Sequence, residues 1–97
     1  MAYLTITNIL GDSDELLDGY ERSEPTMTSV GRDHGLILHA AAKADDGLLV
    51  VNLWRSKNHS EAAAADPRRR AVITGHGLGP ERFRRSHYEV AHHVLPG

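Results

Sequence analysis

Histidine has the widest chemical reach of any residue type in this chain, with seven among 97 residues. An imidazole titrates near neutral pH, so it can act as a general base or ligate zinc, iron or copper. His87, Glu89 and His93 recur at even spacing in the closing segment, and His39 lies in a separate apolar run, LILHAAA. Along an extended strand His87 and His93 are about 20 Å apart at ~3.3 Å per residue, so they cannot hold the same ion. No HExxH pattern is present, and the simpler reading is of polar strand and interface positions. His59 and His76 read as exposed.

Asn52 is the second chemically loaded position, because it interrupts the apolar run GLLVVNLW. Burying an unpaired amide costs roughly 1–3 kcal/mol, so Asn52 requires a partner, whether from the protein or from a ligand. Charge is the third feature. Up to Leu49 there are nine acids and three bases (−6); beyond it, eight bases and four acids (+4). The bases concentrate at Arg68–Arg69–Arg70 and at Arg82, Arg84 and Arg85. They suggest either an anion patch or a solvated helix face complementing the acidic half, and the solvated face is the simpler account.

These residues need elements to position them. Tyr3 to Ile9 alternates as a strand, with Leu4, Ile6 and Asn8 on one side and Tyr3, Thr5, Thr7 and Ile9 on the other. Asp12 and Glu15 have the spacing of a capping box, so a helix is expected from about Ser13 with the stripe Leu16, Leu17, Tyr20 and Met27. Pro25 should stop that helix near Ser23 or open a new one. A second strand is expected over Gly35–Lys43, with Leu36, Leu38 and Ala40 facing together. The Asp45–Asp46–Gly47 turn then makes a hairpin with a third strand, GLLVVNLW. Ser56 is a good N-cap for an alanine-rich helix from His59 to Ala65, and Asp66–Pro67 caps and starts a further turn. A fourth strand is expected over Arg85–Leu95.

The order is βαββαβ, the ferredoxin-like unit, an α+β fold with a four-stranded antiparallel sheet. Helices on one face leave the other face apolar, so a homodimer packing sheet to sheet is expected. The second and fourth strands would be edges, and His39 of one copy would approach His87 or His93 of the other only across that dimer.

Composition narrows the function classes. The length fits one domain, 1–97, and 40% hydrophobic with 25% charged residues is ordinary for a globular chain. No cysteine is present, which excludes disulfides, thiolate metal sites and cysteine nucleophiles. A net charge of −2 argues against nucleic acid as a partner. No long apolar run or leader-like start is seen, so a cytoplasmic protein with no membrane span is expected.

The segment DDGLLVVNLWRSKNHSEAAAADP resembles the strand-to-helix region of the dimeric α/β-barrel superfamily, in its antibiotic biosynthesis monooxygenase-like (ABM) members. The opening strand and the closing HYEVAHHVL fall where that fold places its first and last strands, so the likeness spans nearly the whole chain. It implies a dimeric α/β barrel. The superfamily includes cofactor-independent oxygenases, cyclases, isomerases, haem-degrading enzymes and members without known activity, so fold does not select among them.

For oxygen-transferring members the resemblance implies an enclosed apolar pocket, a group that holds a phenolate-like substrate, and no cofactor, since the substrate itself reduces oxygen. Asn8 on the inward strand, Asn52 and Trp54 are the candidate catalytic residues, with Tyr20, His39, His87 and His93 as ligand-binding candidates. Trp54 also reads as a core anchor, and Tyr20 as part of the helix stripe. Haem degradation matches less well. Asn8 fits, but Ala62–Ala65 stand where a Trp is expected, and Val72 where a His is expected, with His76 the nearest histidine. Three readings result: a cofactor-independent monooxygenase-like enzyme acting on an aromatic or polyketide-like small molecule, a non-catalytic ligand-binding or interaction dimer, and a histidine-based binder of haem or a transition metal.

Overall fold

A computed structural model describes residues 1–95. Strand β1 (Tyr3–Leu10) runs into α1 (Ser13–Asp33), then β2 (Leu36–Ala44), β3 (Gly47–Trp54), α2 (Lys57–Ala65), α3 (Pro67–Gly75), a 3₁₀ turn (Pro80–Arg82) and β4 (Phe83–Glu89). The strands form one antiparallel sheet in the order β2-β3-β1-β4, which leaves β2 and β4 at the edges. This is the expected ferredoxin-like layout, and the sheet of the single chain is open.

The helix starts follow their local chemistry. Asp12 accepts a hydrogen bond from the Glu15 amide at 3.0 Å, Ser56 from the His59 amide at 3.2 Å and Asp66 from the Arg68 amide at 2.9 Å. Each satisfies an amide that the first helical turn leaves without a partner. At the β2–β3 hairpin Gly47 is required by space, since a Cβ there would meet the Ile9 carbonyl oxygen at 1.8 Å.

Three expectations need correction. Helix α1 does not stop near Ser23 but continues through Pro25 to Asp33. A proline in a helix interior costs about 3 kcal/mol in an isolated helix, yet the inward stripe continues beyond it through Met27 to Val30, which is only 2% exposed. Burial of that second half outweighs the missing hydrogen bond. Strand β4 ends at Glu89 and not at Leu95, because its partner β1 begins at Tyr3, which pairs with Glu89; one further bond runs from the Val90 amide to the Ala2 carbonyl. Finally, a register shift between Leu36 and Leu38 separates two residues expected on one side. Leu36 pairs with Trp54, Leu38 with Leu53, and the irregularity at Ile37 turns the chain between them.

The register divides the sheet into two faces. Tyr3, Thr5, Thr7, Ile9, Leu48, Val50, Asn52 and Trp54 face the helices, where Trp54, Val30 and Ala63 form the core with Tyr3 and Leu36 packed against them. The opposite face carries Leu4, Ile6, Leu49, Val51 and Leu53 at its centre, with Leu38 and Tyr88 on the edge strands 45% and 53% exposed. Outside the sheet, His34 bonds to Asp66 at 2.9 Å, and Arg68 reaches both Asp33 and Asp66 at 2.8 Å, tying the end of α1 to the start of α3. The Arg68 guanidinium, the His34 ring and the Arg68 amide together hold the Asp66 carboxyl well below the usual carboxylate range. No helix among the described residues is long and apolar enough to cross a membrane.

Candidate functional site

Two adjoining cavities lie between the sheet and the helices. The larger, about 310 Å³, is bounded by α1, α3 and the helix-facing residues of β1, β3 and β4; the second, about 280 Å³, extends toward Trp54 and Ala63. The volumes lie at the lower end of the range of small-molecule sites. Tyr20, Met27, His39, Asn52 and Arg69 line both, so they form the wall the cavities share.

That wall has a definite polar arrangement. His39 and Asn52 are register partners on β2 and β3, and the ring Nδ1 of His39 donates to the Asn52 side-chain carbonyl. Asn52 thus has the partner its position demands, and it comes from the protein. The Tyr20 ring stacks on the His39 ring at a centroid separation of 5.6 Å and an interplanar angle of 18°. A neutral imidazole that donates through Nδ1 carries its lone pair on Nε2. The polar edge of the wall thus carries an imidazole, a phenol and an amide, on an edge strand, a helix and an inner strand.

The remaining candidates fall elsewhere. Trp54 is buried at the end of β3 and borders the second cavity, and its indole N–H donates to Thr5 Oγ1 at 3.3 Å. It serves as a core anchor with one edge on the site. Asn8 does not line either cavity. The period of β1 puts it with Leu4 and Ile6 on the face away from the helices, where its side-chain carbonyl is sheltered without a hydrogen-bond partner. His87 stacks on Tyr3 at 6.0 Å, outside the cavity linings, and His93 lies beyond the end of β4 and is exposed. His39 and His87 stand on opposite edge strands, so a single chain does not bring them together. Among the described residues no three His, Asp or Glu side chains gather in a metal-binding group.

Several lining residues were not anticipated. Arg69, Val72, Ile73 and His76 follow one another at helical spacing along α3, and all four line the larger cavity. His76 packs against α1 at Gly19, where an added Cβ would lie 3.3 Å from its ring. On β4, Phe83 and Arg85 share the helix-facing side, with the Arg85 guanidinium 5.2 Å from the centre of the Phe83 ring. The signal for Arg69 was present in its i, i+3, i+4, i+7 relation to two apolar residues and a histidine, which assigns it to the inward face.

No protein-family model and no curated protein matches the sequence. Solved structures do match the fold. SnoaB from Streptomyces nogalater, described as a cofactor-independent oxygenase, is 15% identical, with 99% of this chain and 96% of that one covered at a TM-score of 0.63. A protein from Nitrosomonas europaea, provisionally assigned as an antibiotic biosynthesis monooxygenase, is 13% identical over 93% of this chain and 90% of that one, at a TM-score of 0.73. A dimeric ferredoxin-like protein of unknown function from Jannaschia sp. CCS1 is 10% identical over 93% and 100%, at 0.74. The chain has the ABM-like ferredoxin fold. Identities this low are shared by ABM-like proteins with a described activity and by others without one, so within this fold the activity depends on the side chains of each site.

Proposed function

We propose that the chain is a cofactor-independent oxygenase, working as a homodimer on an aromatic or polyketide-like small molecule held between sheet and helices. The observation that carries this reading is the His39–Asn52 pair in the wall shared by the two cavities. Oxygenation without a cofactor requires a substrate that can be made electron-rich, and proton removal from an activated ring CH₂ does so. In this reading His39 Nε2 takes that proton while Asn52 holds the imidazole in the required tautomer and Tyr20 supports its ring. The resulting carbanion reduces dioxygen, and the hydroperoxide formed on that carbon loses water to leave a carbonyl. The balance is R₂CH₂ + O₂ → R₂C=O + H₂O, with the proton held by His39 returned on the way. The described activity of SnoaB, an oxygenase of this fold that uses no cofactor, supports the assignment by analogy.

The homodimer rests on the open sheet face. Leu4, Ile6, Leu49 and Val51 lie at its centre with no helix over them, and half-exposed Leu38 and Tyr88 flank them. A second copy placed against this face would cover the apolar strip and complete the barrel, and a dimeric relative in fold supports this arrangement.

Oxygen uptake by the purified protein, followed with an electrode across a series of hydroxylated polycyclic aromatics, tests the reading. One oxygen molecule should be consumed per ketone or quinone formed, and His39→Ala should lower kcat by about 10²–10⁴-fold. Uptake no faster than in buffer across the series, with ligands still bound, would replace the enzyme by a non-catalytic ligand-binding dimer.

A further inference from the structure

The cavity carries a charge asymmetry that proton abstraction by His39 does not use. Arg69 is half-buried in the shared wall, and burial together with the charge of Arg85 lowers its pKa from the ordinary guanidinium value. Its neighbour Arg68 is occupied by Asp33 and Asp66. Among the described residues no carboxylate lies within 4.0 Å of either Arg69 or Arg85. Four arginines, Arg22, Arg69, Arg82 and Arg85, line the larger cavity against two acids, Asp12 and Glu15, and Asp12 is engaged in capping α1. A partly desolvated cation next to a second cation is unfavourable in the empty protein, and the arrangement becomes favourable when an anion enters.

The surroundings also specify shape. The Phe83 ring beside Arg85 and the stacked Tyr20–His39 rings give the cavity flat walls, and a planar guanidinium presents its donors in a fork that matches two carboxylate oxygens. We infer that the ligand of this cavity is an aromatic carboxylate, and that Arg69 and Arg85 together bind its carboxylate group. The inference rests on the cavity being the ligand site, and it adds the sign and position of the ligand's charge.

The test uses the full chain and two probes of nearly equal size, 2-naphthoate and the neutral 2-naphthamide. Binding is followed by NMR through the indole N–H of Trp54, the one tryptophan in the chain, and through the amides of the cavity wall. Naphthoate should bind at least about tenfold more tightly than naphthamide, with a preference that shrinks as salt is raised. Arg69→Gln and Arg85→Gln should each remove the preference while leaving naphthamide affinity unchanged. Arg70→Gln, on an exposed position outside both cavities, should leave the preference intact. Arg85 is exposed on an edge strand, so its variant keeps the test valid if Arg69→Gln fails to fold. Equal binding of the two probes, or equal loss in the Arg70 variant, overturns the anion site and leaves the cavity as the ligand site. If neither probe perturbs the wall at millimolar concentration, both ideas fall.

Discussion

His39 and Asn52 hydrogen-bond to each other from directly paired positions on β2 and β3, so one contact satisfies an amide on an inner strand and fixes the orientation of an imidazole on an edge strand. The histidine is at the margin of the sheet, where a ligand can reach it, and its orientation is set from within.

That pairing predicts distinct outcomes for two substitutions. Asn52→Ala removes the acceptor that orients the ring, and oxygen uptake should fall by roughly 10²-fold, the low end of what a positioned base contributes. Asn52→Asp keeps an acceptor and adds a negative charge, which favours the protonated imidazole. The rising limb of the pH–rate profile should then move about one unit to higher pH. An unshifted limb would remove His39 from the role of base.

Trp54 joins β3 to α1 and α2 through Val30 and Ala63. Trp54→Ala should destabilise the fold by about 3–5 kcal/mol, a large part of the ~5–15 kcal/mol typical of small domains, as read from urea unfolding. Trp54→Phe keeps one aromatic ring but loses the bond to Thr5 and part of the buried indole, so it should cost about 1–2 kcal/mol. Similar small losses for both would show that the tryptophan is not a core anchor.

Asp66 gives the fold a pH dependence of known sign. Its carboxyl is held well below its ordinary value of 3.8, chiefly by Arg68 and then by His34. A group whose pKa is lowered in the folded state stabilises the fold above its unfolded pKa, and that contribution disappears as pH falls through the folded value. The difference in thermal midpoint between wild type and Asp66→Asn should therefore be constant above about pH 5 and shrink steadily below about pH 4. A difference that persists undiminished at pH 2 would assign the effect to something other than this carboxylate.

Leu38 is half-exposed on the outer sheet face, so a charge there disturbs a single subunit little and a sheet-to-sheet dimer strongly. In sedimentation velocity the wild type should run at twice the 10.7 kDa chain mass and Leu38→Arg at the chain mass. A variant that remains dimeric would place the subunit contact on another surface.

Much of this architecture was legible in the sequence because its signals are local. The caps at Asp12, Ser56 and Asp66, the Gly47 hairpin and the largely apolar β3 each follow from a few neighbouring residues. What was not legible depended on partners distant in sequence. Pro25 reads as a stop until the burial of Val30 is known, β4 is as long as its partner β1 allows, and the irregularity at Ile37 decides where Leu36 points. Among the residues that line the cavities, Asn52 and Tyr20 were legible through types that sit awkwardly in apolar stripes. The face that Asn8 occupies was not legible, because alternation separates two faces without saying which one the helices cover. Arg69 was obscured by Arg68 and Arg70, since a run of like charges reads as one solvated surface although successive helical residues point about 100° apart.

The continuation of α1 through Pro25 has an effect on motion. A proline gives no amide to the carbonyl four residues before it, so one rung of the helix ladder is missing at Glu21. On one side of that gap Leu16, Gly19, Tyr20 and Ser23 roof the larger cavity; on the other, Val30 is locked against Trp54. Hydrogen exchange should find the amides of the first half opening more readily than those around Val30, since the missing rung separates them from the part of the helix packed on the core.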